Sequence, residues 1–346
     1  MKHFKHTLEG VFFIAGMVLF GLVIQSVEPS RLSVLSSALS AKGWLVFAFY
    51  PFMCSWDVMG WKSVFAEVHR SKIRFRDLFT IRLAGEAVNN VTPIVDVGGE
   101  PLKVVLASKR FGIPKKSCLD SVIIGKTAIF LAEIFFVAAG VVLSFFLLPM
   151  PGQWRWGLVA GVCVFGLLVM FFIFAQKRGL FETFIQWLDV FEFDPRLFER
   201  FHIPFQQIDD EIVSFYSSEK GRFRTAVLFH TAGWFAGSVE TYFMFHLLGV
   251  PVSLIQAVML ESLLQLIRTA SFFIPANLGT QEAGLAFLVQ ALGYHPALGV
   301  AASLLKRIRQ VLWTGAGFAV WGAYQLIYLK ANAGNKERGF PNDSGF

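Results

Sequence analysis

Apolar residues run along this chain in long blocks, and polar ones gather in the gaps between them. Stretches long enough to cross a bilayer lie at about 8–27, 44–66, 117–148, 153–176, 222–249 and 297–329. A helix needs ~20 residues to span a ~30 Å hydrocarbon core, so the pattern predicts six full crossings. Two more apolar regions, about 77–110 and 252–292, have a different layout: a long arm, a Pro/Gly break and a shorter return arm. That layout predicts a re-entrant hairpin that dips into the membrane and returns. The fold class is therefore all-α: a polytopic integral membrane protein with six spans and two re-entrant broken-helix hairpins.

The two breaks read as one element written twice. Val91-Thr-Pro-Ile-Val-Asp-Val-Gly-Gly-Glu-Pro101 and Phe273-Ile-Pro-Ala-Asn-Leu-Gly-Thr-Gln-Glu-Ala283 each place a glutamate, Glu100 or Glu282, seven residues after a proline, Pro93 or Pro275. A later glycine, Gly112 or Gly293, stands fourteen residues before a cation, Lys126 or Arg307. This is an internal repeat. Repeat 1 covers about 44–148 and repeat 2 about 222–330, within one transmembrane domain over 1–330. In hydrocarbon, backbone that leaves a helix must find partners in protein or in a wet cavity, and paired interruptions in two halves point to a transport site between them. Pro93, Gly98, Gly99, Pro275 and Gly279 are the hinge positions.

Charge sets the topology. Arg70, Lys72, Arg74 and Arg76 precede the first hairpin and Lys109, Arg110, Lys115 and Lys116 follow it, so both its flanks are expected on the cytoplasmic side. Carried along the chain, this puts 20 of the 31 Lys/Arg in cytoplasmic pieces, two (Arg31 and Lys42) in external loops and nine within apolar segments. Both termini are then expected on the cytoplasmic side. Three crossings separate the hairpins, so the repeat is inverted, with the second hairpin entering from outside. Its own flanks carry no Lys or Arg.

Composition agrees. With 55% hydrophobic residues, 16% charged residues and 39 phenylalanines, and a mean hydropathy of +0.57, the chain cannot coat a soluble globule. The net charge of +7 comes from basic residues between apolar blocks, which removes the case for nucleic acid. Cys54, Cys118 and Cys163 lie far apart, so neither a disulfide framework nor a metal site is expected. The run after Met1-Lys-His-Phe-Lys-His has no small-residue cleavage site and reads as a retained first span. Residues 177–221 are expected to hold an interfacial amphipathic helix, with Phe181, Phe184, Ile185 and Leu188 at helical spacing. Residues 331–346 are polar, Gly-rich and expected to be disordered.

Charges inside the membrane carry the candidate chemistry, because a lone ionised side chain there costs ~2.5–3.5 kcal/mol or more. Arg82, Glu86, Asn89 and Asn90 fall on one stripe of the first long arm, and Glu100 and Lys103 open its return arm one turn apart. Lys126 lies nine residues into its span, ~14 Å deep at 1.5 Å per residue. Arg307 reaches similar depth from the other side, flanked by Lys306 and Arg309. In one reading these cations, with Arg82 and Arg268, line a polar cavity for an anionic headgroup. Arginine matches phosphate through its fork, and the return-arm amides aim at the same place. In the other, Glu100 and Glu282 neutralise the cations across the repeat interface as packing salt bridges. Asp57, Glu133, Glu240 and Glu261 are either proton relays or satisfied structural acids, and His230 and His246 read as hydrogen-bonded core residues. The tryptophans read as belt or packing residues. No phosphate-binding Gly-x-x-x-x-Gly-Lys loop, nucleophile elbow or His-Glu-x-x-His occurs, so no enzyme activity and no cofactor are expected.

Glu86-Ala-Val-Asn-Asn-Val-Thr-Pro, Gly98-Gly-Glu-Pro-Leu-Lys103 and Ile274-Pro-Ala-Asn-Leu-Gly-Thr-Gln-Glu282, followed by Lys306-Arg307, resemble the lysylphosphatidylglycerol synthetase transmembrane-region family. That family is the flippase-like module of multiple peptide resistance factor proteins, with stand-alone and hopanoid-biosynthesis-associated members. The resemblance covers nearly all of 8–330. It implies a lipid translocase of the prokaryotic cytoplasmic membrane with broken-helix hairpins around a lipid-accommodating cavity. Only a short tail follows residue 330, so the family's aminoacyl transfer is not expected. Two alternatives stay open. One is a scaffold that recruits a lipid-biosynthesis enzyme through 177–221; the other is an intramembrane transferase on a polyprenyl phosphate, with Glu100 as acid or base.

Overall fold

The structure is a computed structural model that describes residues 25, 47–92, 98–149, 152–177, 205–272 and 274–337. Every regular element among the described residues is helical. In chain order these are α1 (Tyr50–Val64), α2 (Glu67–Arg70), α3 (Phe75–Val91), α4 (Glu100–Phe111), α5 (Lys115–Leu147), α6 (Gly152–Lys177), α7 (Phe205–Ser218), α8 (Lys220–Leu247), α9 (Leu254–Ala270), α10 (Thr280–Ala291) and α11 (Pro296–Glu337). The expected span at 8–27 and the external Arg31 and Lys42 lie outside the described residues.

Among the described residues, two helices have both the length and the apolar character of a membrane span, α5 and, over Arg155–Gln176, α6. α6 turns Leu167, Leu168, Met170, Phe171 and Phe174 outward, the natural surface of a helix solvated by lipid. α8 and α11 are long enough to cross but interrupt their apolar sequence with Glu240 and with Lys306, Arg307 and Arg309. These charged groups point into the bundle, where they find partners.

The broken regions form two helix pairs of matching dimensions. α3 and α9 each have 17 residues, and the return arms α4 and α10 each have 12. At 1.5 Å per residue the arms reach ~25 Å and ~18 Å, short of a full crossing for the return arm. Each return arm packs on its own long arm and on the helix that follows, α4 on α5 and α10 on α11. The long arms are exchanged: α3 lies on α11 of the other half, and α9 lies on α5. Small residues permit this approach. The Gly317 Cα meets the Leu83 carbonyl and Ala87 of α3, and Gly140 of α5 meets Ser262 of α9. α1 and α8 pack against each other beside this exchange.

Two apolar cores flank the charged layer, one built on α1 and α3–α5, the other on α8–α11. Within 177–221, α7 is amphipathic, burying Ile212, Phe215 and Tyr216 at helical spacing while Val213 and Ser217 face out. Burial beside α5 pushes the Tyr216 hydroxyl up to about 12, and it donates to buried Gln176 at 2.7 Å. Phe181, Phe184, Ile185 and Leu188 lie outside the described residues. α11 runs on to Glu337, which corrects the expectation that irregular chain begins at 331. No proline occurs until Pro341, and a single glycine, Gly334, does not stop a helix that already has momentum from a long span.

Candidate functional site

Both breaks are held open by side chains. Pro93 lies outside the described residues, but the turn at Gly98 and Gly99 is tied back to the long arm, since the Gly99 N–H donates to Asn89 Oδ1 at 2.6 Å. Gly99 needs to be small here because its Cα rests on the Gly85 carbonyl. In the second hairpin, Pro275–Asn277 form a single 3₁₀ turn with Ala276 at φ 53° and Asn277 at φ 51°. This left-handed backbone costs an alanine roughly 1–2 kcal/mol. The turn aims two carbonyls at one arginine: Arg307 Nη1 donates to Ala276 O at 2.6 Å and Nη2 to Asn277 O at 3.0 Å. Gly279 then caps α10 at φ 77°, its N–H donating to Glu282 Oε2 at 2.8 Å, the glutamate half of a capping box. The amides of the two cap glycines, Gly99 and Gly279, are therefore engaged within the protein, just ahead of the return arms.

The glutamates that open the return arms pair inside their own halves rather than across the repeat interface. Glu100 Oε1 meets Lys103 Nζ at 2.9 Å and Lys126 Nζ at 3.2 Å. Glu282, fully buried, is 2.9 Å from Arg307 Nε, accepts from its Nη2 at 3.3 Å and accepts from Ser303 Oγ at 3.0 Å. Each return arm starts against the helix that follows it, so the nearest cation is its own repeat's. Further acids, Asp57 and Glu86 partly exposed and Glu240 and Glu261 buried, complete the balance. Arg82 Nη2 meets Asp57 Oδ2 at 2.6 Å and Glu86 Oε2 at 3.6 Å. Lys306 Nζ meets Glu261 Oε2 at 2.7 Å and Thr241 Oγ1 at 2.9 Å. Arg309 pairs with Glu240 and covers the Tyr50 ring at 5.3 Å.

The candidate residues also divide between two voids instead of lining one chamber. The first, about 30 Å³, is enclosed by Asp57, Trp61, Arg82, Glu100, Lys103, Lys126 and His230 among others. The second, about 80 Å³, lies where the halves meet and is lined by Tyr50, Glu86, Asn90, Arg268, Asn277, Gln281, Lys306, Arg309, Gln310 and Trp313. Asn90 joins the halves directly, donating to Thr314 Oγ1 at 2.9 Å and accepting from Gln310 Nε2 at 3.1 Å. Asn89, Glu282 and Arg307 line neither void and serve the breaks instead. Arg82 borders the first void and its partner Glu86 the second, so one ion pair connects them. Arg268 stands apart. It lines the second void and, among the described residues, its guanidinium has no carboxylate within ion-pair distance.

Sequence reading ranked Asp57, Glu240, Glu261 and His230 below their importance and passed over Gln281 and Gln310. The usable signal was physical: an acid in a long apolar segment needs a cation of its own, and Gln310 follows Arg307 by one helical turn.

A helical integral membrane protein with two helix hairpins broken over a buried layer of matched charges is the class that fold and site define. The sequence profile described as lysylphosphatidylglycerol synthase TM region matches residues 9–317. The chain belongs to that family, a membrane module of lipid metabolism. No curated protein and no solved structure matches it.

Proposed function

We propose that this protein is a lipid translocase that moves a phosphate-bearing membrane lipid between leaflets, the headgroup crossing between the two hairpins while the acyl chains stay in the bilayer. The observation that carries the reading is the void of about 80 Å³ at the meeting of the halves, where Arg268 faces Asn90, Gln281 and Gln310. A guanidinium with no ion-pair partner among the described residues, framed by amides that hydrogen-bond within the protein, suits a phosphate. A void of this size takes a few waters at rest, so a headgroup enters only as the hairpins part. The equal arms and exchanged long arms support an inverted repeat of six crossings and two re-entrant hairpins, rocking about that level. The charge pattern supports both termini on the cytoplasmic side, and the family resemblance supports a prokaryotic cytoplasmic membrane. On this reading no enzyme chemistry is involved, and 177–221 remains a docking segment for a lipid-biosynthesis partner.

The test is reconstitution in proteoliposomes with fluorescent phospholipid and a leaflet-selective quencher. Arg268→Gln is expected to lower flipping at least tenfold while the purified protein keeps its elution profile. Lys126→Gln, which frees Glu100 to hold Lys103 alone, is expected to slow flipping as well. Parent rates in both variants reject these residues as the headgroup path. If the parent protein moves no lipid of any headgroup, while deletion of 205–218 abolishes the cellular phenotype, the scaffold reading replaces this one.

A further inference from the structure

His230 is enclosed in the middle of α8, 1% exposed. Its Nδ1 lies 3.1 Å from Asp57 Oδ1, its ring borders the first void, and its Nε2 is buried without a hydrogen-bond partner. The ring edge lies on the Gly60 Cα, where a methyl group would collide with it, so the imidazole cannot swing away from Asp57. The groups that face it are Asp57 on α1, Arg82 with Glu86 on α3, Glu100 and Lys103 on α4 and Lys126 on α5. Three acids meet three bases there, and the set is neutral when the imidazole is neutral. The other elements packed on α8 place their charges elsewhere: Glu261 of α9 and Lys306 and Arg309 of α11 gather about Thr241 and Glu240, roughly three turns along. On α7, among the described side chains, the Tyr216 hydroxyl is held on Gln176.

Arg82 is shared between two acids, Asp57 at 2.6 Å and Glu86 at 3.6 Å, and Glu86 lines the void assigned above to the headgroup. An arriving anion repels Glu86 and draws Arg82 toward that void. Asp57, 30% exposed, then loses its guanidinium, and a carboxylate in this layer without a cation is disfavoured. The one titratable group in contact with it is His230, whose residue type exchanges a proton in the physiological range.

We propose that His230 is a proton-binding site coupled to the headgroup site, so that entry of an anion between the hairpins draws one proton onto the His230–Asp57 pair. The proposal rests on the headgroup reading above and deepens it by assigning the proton as coupling ion. The balance closes: the pair gains one proton from solvent as the void gains one negative charge. Linkage is reciprocal, so anion affinity rises as pH falls, by up to about tenfold per unit.

Titration calorimetry of the purified full chain with a short-chain phosphatidylglycerol, in two buffers of different ionisation enthalpy, measures the protons taken up per lipid bound. This phosphodiester keeps its charge between pH 5 and 8, so uptake reports the protein. The parent is expected to take up close to one proton per lipid near the steepest part of its pH profile, and His230→Gln to bind with no uptake and no pH dependence. Binding by the parent without uptake overturns the proton site and leaves the headgroup reading intact, as does equal uptake in His230→Gln. Absence of phosphatidylglycerol binding by the parent overturns both. Asp57→Asn, which leaves the imidazole in place, is expected to abolish uptake too; uptake that persists there overturns the pairing.

Discussion

Arg268 and Arg307 are both arginines of the second half, yet their circumstances are opposite. Arg307 has a fully buried carboxylate, two turn carbonyls and Gln310 around it, whereas Arg268 faces a void without an ion-pair partner among the described residues. Their variants should therefore separate structure from function. Glu282→Gln leaves the Arg307 charge buried against dipoles alone and is expected to cost about 3–5 kcal/mol, read as a fall of several degrees in thermal midpoint in detergent. Arg268→Gln is expected to stay within about 0.5 kcal/mol of the parent and to lose headgroup binding. Equal destabilisation by both would make Arg268 a packing residue. Both arginines were visible in the sequence as intramembrane cations. Their division of labour was not, because partner choice depends on which helix lies opposite.

At the scale of the element, the second break is a conformational device with a definite backbone. Gly279 adopts φ 77°, a region that disfavours any residue with a Cβ by about 1–2 kcal/mol. Gly279→Ala is accordingly expected to destabilise the protein by roughly that amount and to disturb the Glu282 cap, measured by thermal unfolding and by hydrogen exchange at the Thr280–Ala283 amides. Unchanged exchange would show that the cap does not depend on the glycine. The Pro/Gly spacing marked both breaks in the sequence; α9 and α10 fall inside the expected 252–292, while α3 starts at Phe75 and α4 ends at Phe111, just beyond the expected 77–110. The left-handed turn at Ala276 and Asn277 was not legible, since neither residue prefers it as strongly as glycine. Arg307 supplies the compensation from another helix.

For the whole molecule, the matched arm lengths and the exchange of α3 and α9 between halves are the features an inverted repeat requires, and orientation is their test. In a chain freed of Cys54, Cys118 and Cys163, single cysteines at Arg74 and Lys109 are expected to react with an impermeant thiol reagent only from the cytoplasmic face. Cysteines at Ser253 and His295 are expected to react only from the opposite face. Labelling of all four from one side would make the repeats parallel and remove the rocking mechanism. The sequence by itself determined the helical class, the membrane as solvent, the positions of the breaks and the repeated Glu-to-cation spacing, since each depends on local pattern: apolar run length, Pro/Gly placement and intervals along one chain. Tertiary structure alone decided that Glu100 and Glu282 stay with their own repeats, that the charges separate into two voids joined by Arg82 and Glu86, and that His230 shares Asp57 with Arg82. Those outcomes depend on which helices meet, and in a buried low-dielectric layer an ion pair is set by distance across helices rather than by distance along the chain.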